Sequence, residues 1–299
     1  MSQSRRSFLK SISAAAAVST IASGSAIAID PIRRTGGSRM KLSLAAYSFR
    51  QFLSGPNRSM TLEDFIDLCA KYNLEGTEPT SYYFPDPVTP EYCRRLRKRA
   101  FLQGLSISGT AIRNTFTYPP GPELDREIAH VKKWIDYSVD LGAPVIRIFA
   151  GNLQKGTTEA QARKWCIDAI HQCCEYAGQR GIILALENHG GIVTTADQLI
   201  SIVKEVQSEW FGVNWDSGNF RGPDVYAELA KAAPYAVTAQ IKTEIAPNGG
   251  RKVEADLKRV IGILKDAGYR GFVALEYEAG EDPRTAVPRY LEQLRALIS

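Results

Sequence analysis

The chain has 299 residues, 44% of them apolar and 23% charged, with a formal net charge of +5. That length can bury a sizeable core in one large unit or two ordinary ones, and no run of like charge marks a nucleic-acid partner. Five cysteines, an odd number that all fall in segments with helical patterning, exclude a disulfide framework.

Residues 1–28 read as an export signal. Ser4-Arg5-Arg6-Ser7-Phe8-Leu9-Lys10 precedes a mild alanine-rich apolar run from Ile12 to Ala22, and Ala26-Ile27-Ala28 supplies a small-residue cleavage site. The arginine pair followed by Phe-Leu-Lys closely resembles a bacterial twin-arginine signal. The resemblance implies passage through the twin-arginine export machinery in folded form, hence a periplasmic or otherwise exported protein with buried, reduced thiols. The apolar run is too short and too weakly hydrophobic for a stable span of ~20 residues. Removing residues 1–28 takes away Arg5, Arg6 and Lys10 and no acid, which lowers the net charge from +5 to +2. Residues 29–40 read as a linker by composition.

From residue 41 to 299, strand-like and helix-like segments alternate without a compositional break. Leu42–Tyr47 reads as the first strand and Thr61–Tyr72 as the first helix, opened by Thr61 with Asp64 three residues on. Leu74–Glu78 precedes the helix Pro90–Gln103, and Leu105–Ala111 precedes Pro122–Leu141. Val145–Ala150 is followed by Thr157–Gln179, and the apolar run Ile182–Glu187 by Thr194–Val206. Phe211–Asp216 leads to a helix near Asp224–Ala233, Ala236–Ile241 to one near Glu254–Ala267, and Phe272–Glu276 to Pro283–Ile298. Eight strand-helix pairs with short connections predict a parallel eight-stranded sheet closed into a single-domain (β/α)8 TIM barrel. An open doubly wound sheet would carry Gly-x-Gly-x-x-Gly after its first strand, whereas Ala46-Tyr47-Ser48-Phe49-Arg50 has no glycine.

In such a barrel, active sites lie at the carboxyl ends of the strands. The fifth strand ends in Glu187-Asn188-His189-Gly190-Gly191, the sixth in Asp216, the seventh near Gln240 and the eighth in Glu276. Three carboxylates converging out of bulk water repel one another, a conflict that a divalent cation resolves. Oxygen-rich ligation suits Mn2+ or Mg2+ better than Zn2+, and nitrogen from His189 widens the choice to Co2+ or Zn2+. His189, two residues after Glu187, projects to the same side if the chain stays extended. It is a candidate stand-in ligand, substrate contact or proton carrier, and His130 and His171 lie in helices away from the mouth. Glu78 ends the second strand at the same face. Arg147, inside the fourth, needs a partner, expected to be a strand-two acid. Tyr82-Tyr83-Phe84 suits either a sugar-stacking floor or lid packing.

Leu186-Glu187-Asn188-His189, Asp216-Ser217-Gly218-Asn219, Gln240-Ile241-Lys242 and Ala274-Leu275-Glu276-Tyr277-Glu278 resemble, in order and spacing, the motifs of the sugar phosphate isomerase/epimerase superfamily, the xylose-isomerase-like barrels. The resemblance runs from about Leu42 to the C-terminus and does not fix a substrate. It implies Glu187, Asp216 and Glu276 as metal ligands, with Gln240 standing where the family usually carries His and able to coordinate through its amide oxygen. It implies Glu187 and Glu276 as the acid/base pair for proton abstraction beside a carbonyl through an enediolate. His189, Asn219, Lys242 and Glu78 are the expected substrate contacts, with Asn188 a further hydroxyl contact and Lys242 an ion-pair partner as its other reading. The expected activity is a metal-dependent isomerase or epimerase acting on a free sugar or keto-sugar, since export disfavours a phosphorylated metabolite. The alternatives are a lyase or dehydratase using the same chemistry, or a non-catalytic periplasmic sugar-binding barrel. The sequence leaves self-association open.

Overall fold

Most long helices start where the sequence supplies a cap. In the computed structural model, which describes residues 30–56 and 58–299, Thr61, Thr158 and Thr195 each close a capping box with Asp64, Gln161 and Gln198, opening helices α2 (Leu62–Lys71), α5 (Glu159–Gly178) and α6 (Ala196–Val206). Thr89 caps α3 (Pro90–Leu102), and α4 (Pro122–Leu141) begins on proline and ends on Gly142 in the left-handed region. A short α1 (Arg50–Leu53), α7 (Val225–Ala232), α8 (Leu257–Asp266) and α9 (Pro283–Ile298) complete the helices. The export signal expected over residues 1–28 lies outside the described residues. Among the described residues no helix is long and apolar enough to cross a membrane.

The strands are β1 (Arg39–Leu44), β2 (Gly76–Thr77), β3 (Ser106–Ile107), β4 (Thr110–Ala111), β5 (Val145–Ile148), β6 (Ile183–Glu187), β7 (Phe211–Asp216), β8 (Ala236–Ile241), β9 (Glu244–Ile245), β10 (Val253–Glu254) and β11 (Arg270–Leu275). Seven of them form one parallel sheet in the order β1-β11-β8-β7-β6-β5-β4. The remaining gap is bridged by β2 and β3. Glu75 and Glu78 donate backbone N–H groups to Leu42 and Leu44 of β1, and Ala45 pairs with Glu78 and Thr80 with Ala111. The result is the (β/α)8 barrel, its third strand split into β3 and β4 at Ser108-Gly109. There the Ser108 hydroxyl donates to the Thr77 carbonyl and meets Ser43 Oγ at 2.7 Å, local bonding that competes with a regular ladder.

The first strand differs from the expected Leu42–Tyr47 at both ends. It begins at Arg39, inside the stretch expected to be linker, because Arg39 and Met40 pair with Arg270 and Gly271. Ser38 Oγ and the Arg34 guanidinium tie the preceding residues to the carbonyls of Tyr269 and Ala236. It ends at Leu44 because Ser48 folds back over β11, donating to the Leu275 carbonyl and accepting from Tyr277 N–H, which turns Ala46–Phe49 into a 3-10 turn. The antiparallel hairpin β9–β10 was not expected. Its signal was the turn chemistry of Ala246-Pro247-Asn248-Gly249-Gly250 between β8 and α8.

Alternate side chains of the strands fill the barrel, and helix faces cover it; Trp215, Phe116, Phe220 and Leu44 are fully buried. All five cysteines are free and buried in α2, α3 and α5, as expected, and burial pushes the Cys69, Cys166 and Cys173 thiols up to about 12. At the carboxyl ends of the strands the core gives way to a layer of buried polar groups.

Candidate active site

Glu187 is the last residue of β6 and 2% exposed. One oxygen, Oε1, accepts from Asn219 Nδ2 at 2.7 Å; the other, Oε2, is ion-paired with Arg147 Nε at 2.8 Å. The strand-two partner expected for Arg147 is therefore replaced by the fifth-strand acid. The register explains this: Arg147 lies opposite Ala185, so Glu187 follows two residues on along the same face. Arg147 also donates to the Ile112 carbonyl at 2.7 Å and to the Tyr82 hydroxyl, with its guanidinium 4.0 Å above the Phe149 ring. Burial works against the cation, but Glu187 beside it holds the guanidinium protonated with its pKa raised.

Asp216 ends β7 with no exposure at all; Oδ1 accepts from Gly218 N–H at 2.8 Å, while Oδ2 is buried and accepts no hydrogen bond. Its backbone is held by Asn188, whose side chain donates to the Asp216 carbonyl and accepts from the Asp216 N–H. Asn188 is thus spent on extending the β6–β7 ladder rather than free to contact a substrate. Gln240 lies in β8 and is similarly committed: Nε2 donates to Glu78 Oε1 at 2.7 Å and Oε1 accepts from Asn214 Nδ2 at 2.8 Å.

The Lys242 ammonium stands between strand ends, 3.0 Å from Glu276 Oε2, 2.9 Å from Glu278 Oε1 and 3.4 Å from Asp216 Oδ2. Although burial lowers its pKa, these acids carry it well above the ordinary lysine value. Gly218 is needed beside it, because a Cβ there would come within 2.7 Å of the Glu244 carbonyl oxygen and 2.8 Å of the lysine Cβ and Cδ.

His189 stays at the rim of this cluster, near enough to Glu187 to bear on that carboxylate electrostatically. The chain bends after Glu187, and the imidazole is exposed and lies on the Phe149 ring, 4.4 Å between centroids. There it lines a cavity of about 220 Å3 with Asn114 and Asn152. The bend closes at Gly191, where φ is +58° and a Cβ would lie 2.2 Å from the Gly151 carbonyl oxygen, so only glycine is accommodated. His130, expected away from the mouth, shares a cavity of about 620 Å3 with Tyr82 and Arg113. The aromatic triplet divides: Tyr83 and Phe84 are core, Phe84 packing edge-on to Trp134, and Tyr82 alone reaches Arg147. Glu278, Asn214 and the Tyr82 hydroxyl were not assigned from sequence. For Glu278 the signal was its place two residues beyond Glu276.

Burial followed by Glu276 repulsion pushes the Glu78 carboxyl up to about 7, and burial likewise raises Glu187 and Asp216. Between 4.5 and about 7 native Glu78 keeps a proton that the unfolded chain has released. The native state then binds more protons, so stability falls as pH rises through this window, by up to about 3 kcal/mol. Urea unfolding at pH 5 and pH 8 should show that fall, and Glu78→Gln should flatten it; an unchanged slope in the variant would refute the assignment.

Residues 66–297 match the family described as Xylose isomerase-like TIM barrel, and the chain belongs to that family. Among solved structures it is similar to D-psicose 3-epimerase from Clostridium cellulolyticum H10, with 15% identity and a TM-score of 0.70 over 87% of this chain and all (100%) of that one. It is also similar to IOLI protein with a binding zinc atom (20% identity, TM-score 0.67, 86% of this chain and 96% of that one). A third is the probable 3-DHS dehydratase from Bacillus anthracis (16% identity, TM-score 0.65, 86% and 99%). No curated protein sequence matches the chain.

The donor chemistry suits a divalent cation. Among the described residues, Glu78, Glu187, Asp216, Glu276 and Glu278 face only Arg147 and Lys242 as buried cations, and Asp216 Oδ2 is left without a hydrogen bond. Carboxylate and amide oxygens are hard donors suited to Mn2+ or Mg2+. Among the described residues, however, no three His, Cys, Asp or Glu side chains are drawn together as a ready metal cage. The space between Asp216 and Glu276 holds the lysine ammonium instead.

Proposed function

We propose that the chain isomerises or epimerises a free sugar or sugar-derived ketone by moving a proton beside the carbonyl, with Glu187 and Glu276 as the acid/base pair. The observation that carries this reading is their placement. Two carboxylates from β6 and the end of β11 are 2% and 5% exposed and close enough to repel each other. Each is fixed by its own cation, Arg147 for Glu187 and Lys242 for Glu276. Burial raises Glu187, a direction that suits a base working near neutral pH. Asn219 fixes Oε1 of Glu187 and so orients the carboxylate, and the Lys242 ammonium is within reach of an oxyanion or hydroxyl beside Glu276.

Glu187, Asp216 and Glu276 would hold a divalent ion, Mn2+ by the preference of such donors, with Gln240 joining them through the second lone pair of the Oε1 that accepts from Asn214; when bound, the ion supplies Lewis acidity toward the carbonyl oxygen. Export by the twin-arginine route is part of the same proposal. It is supported by the order of Arg5-Arg6, the apolar run and Ala26-Ile27-Ala28, and by the free, buried thiols. The test is a panel of ketoses and 3-keto sugars incubated in deuterated water with the full chain. Solvent deuterium in the recovered sugar or its epimer is the expected result. Loss of a leaving group would assign a lyase instead, and no exchange with any substrate would favour a binding protein.

A further inference from the structure

The divalent-ion reading leaves open why a lysine occupies the middle of the site. Its ammonium makes close contacts with Glu276 and Glu278, at 3.0 and 2.9 Å, but stays 3.4 Å from Asp216 Oδ2, a fully buried oxygen that accepts no hydrogen bond. One positive charge thus serves three carboxylates, and serves one of them poorly. Asp216 and Glu276 belong at once to the lysine in this structure and to the ligand set for a divalent ion. Glu278 is different, because its side chain is 27% exposed and Lys252 stands 4.0 Å from it at the rim.

Resting on the divalent-ion reading above, we propose that Lys242 is a placeholder cation. It neutralises Asp216 and Glu276 while no divalent ion is bound, and on loading it releases both and keeps Glu278 as its partner. A charge buried without a partner is costly, so the acids need some cation in either state, and the ammonium and the ion compete for the same oxygens. Loading therefore carries the cost of displacing the lysine, and Glu278 lowers that cost by retaining it.

The test uses the full chain stripped with EDTA and titrated with MnCl2, read by calorimetry and by thermal unfolding, with no substrate present. Lys242→Met should bind Mn2+ roughly tenfold or more tightly than the unaltered chain, and Mn2+ should raise its melting temperature further. Lys242→Gln, measured in parallel, keeps a polar side chain should the methionine variant fold poorly, and should tighten Mn2+ binding in the same direction. Glu278→Gln should weaken Mn2+ binding when Lys242 is present and leave it unchanged in the Lys242→Met background. Equal or weaker Mn2+ binding by both lysine variants overturns the placeholder and leaves the metal site standing. Absence of Mn2+ binding by the unaltered chain and both variants overturns the divalent-ion reading with it.

Discussion

On the proposed function, a Glu276→Gln chain is expected to stay folded and to lose sugar interconversion by roughly 10²–10⁴-fold, the usual worth of a positioned acid/base. Folding survives because Lys242 keeps Glu278 at 2.9 Å and Asp216 at 3.4 Å when the third acid is neutralised. The loss should appear in kcat when Mn2+ is kept at a concentration that saturates the variant, because Glu276 is also one of the proposed ligands. Deuterium exchange refines the result. If the two acids serve opposite faces of the substrate, the variant still exchanges the hydrogen reached by Glu187, and only Glu187→Gln with Glu276→Gln abolishes all exchange. Turnover within tenfold of the unaltered chain in well-folded protein would remove Glu276 from the mechanism.

The second large effect concerns stability. Arg147→Met should destabilise the fold by about 3–5 kcal/mol, the cost typical of leaving a buried charge without its partner. Arg147 and Glu187 side chains are 5% and 3% exposed, so water offers little compensation. The variant also strips a guanidinium from the Ile112 carbonyl and the Phe149 ring. Adding Glu187→Gln should recover part of the loss, because the unpaired charge then disappears. Urea unfolding of the two single variants and the double variant gives the coupling; strictly additive losses would mean that the ion pair contributes nothing of its own.

The barrel was legible where local chemistry and burial agree. Threonine caps with Asp or Gln three residues on set the starts of three helices, and runs such as Ile182–Glu187 have no face to show to water. The strand-end acids were legible for the same reason, being charges at the tips of buried segments. Partnerships were less so, because they are settled by register between strands distant in sequence. Arg147 pairs with Glu187 and not Glu78 through a two-residue diagonal across β5 and β6, and Gln240 reaches Glu78 across 162 residues of chain. His189 was expected beside the metal ligands on the assumption of extended chain. The turn closed by Gly191 breaks that alternation and sends the imidazole to Phe149.

Gly218 and Lys242 lie on different strands' connections, and position 218 is closed to any larger residue from two sides. A Cβ at 218 would lie 2.7 Å from the Glu244 carbonyl oxygen and 2.8 Å from the lysine Cβ and Cδ, so shortening the side chain at 242 would not make room, because the carbonyl and the Cβ stay. Glycine after Asp216-Ser217 thus lets the two strand connections lie in contact, which keeps the cation of one beside the acid that ends the other strand.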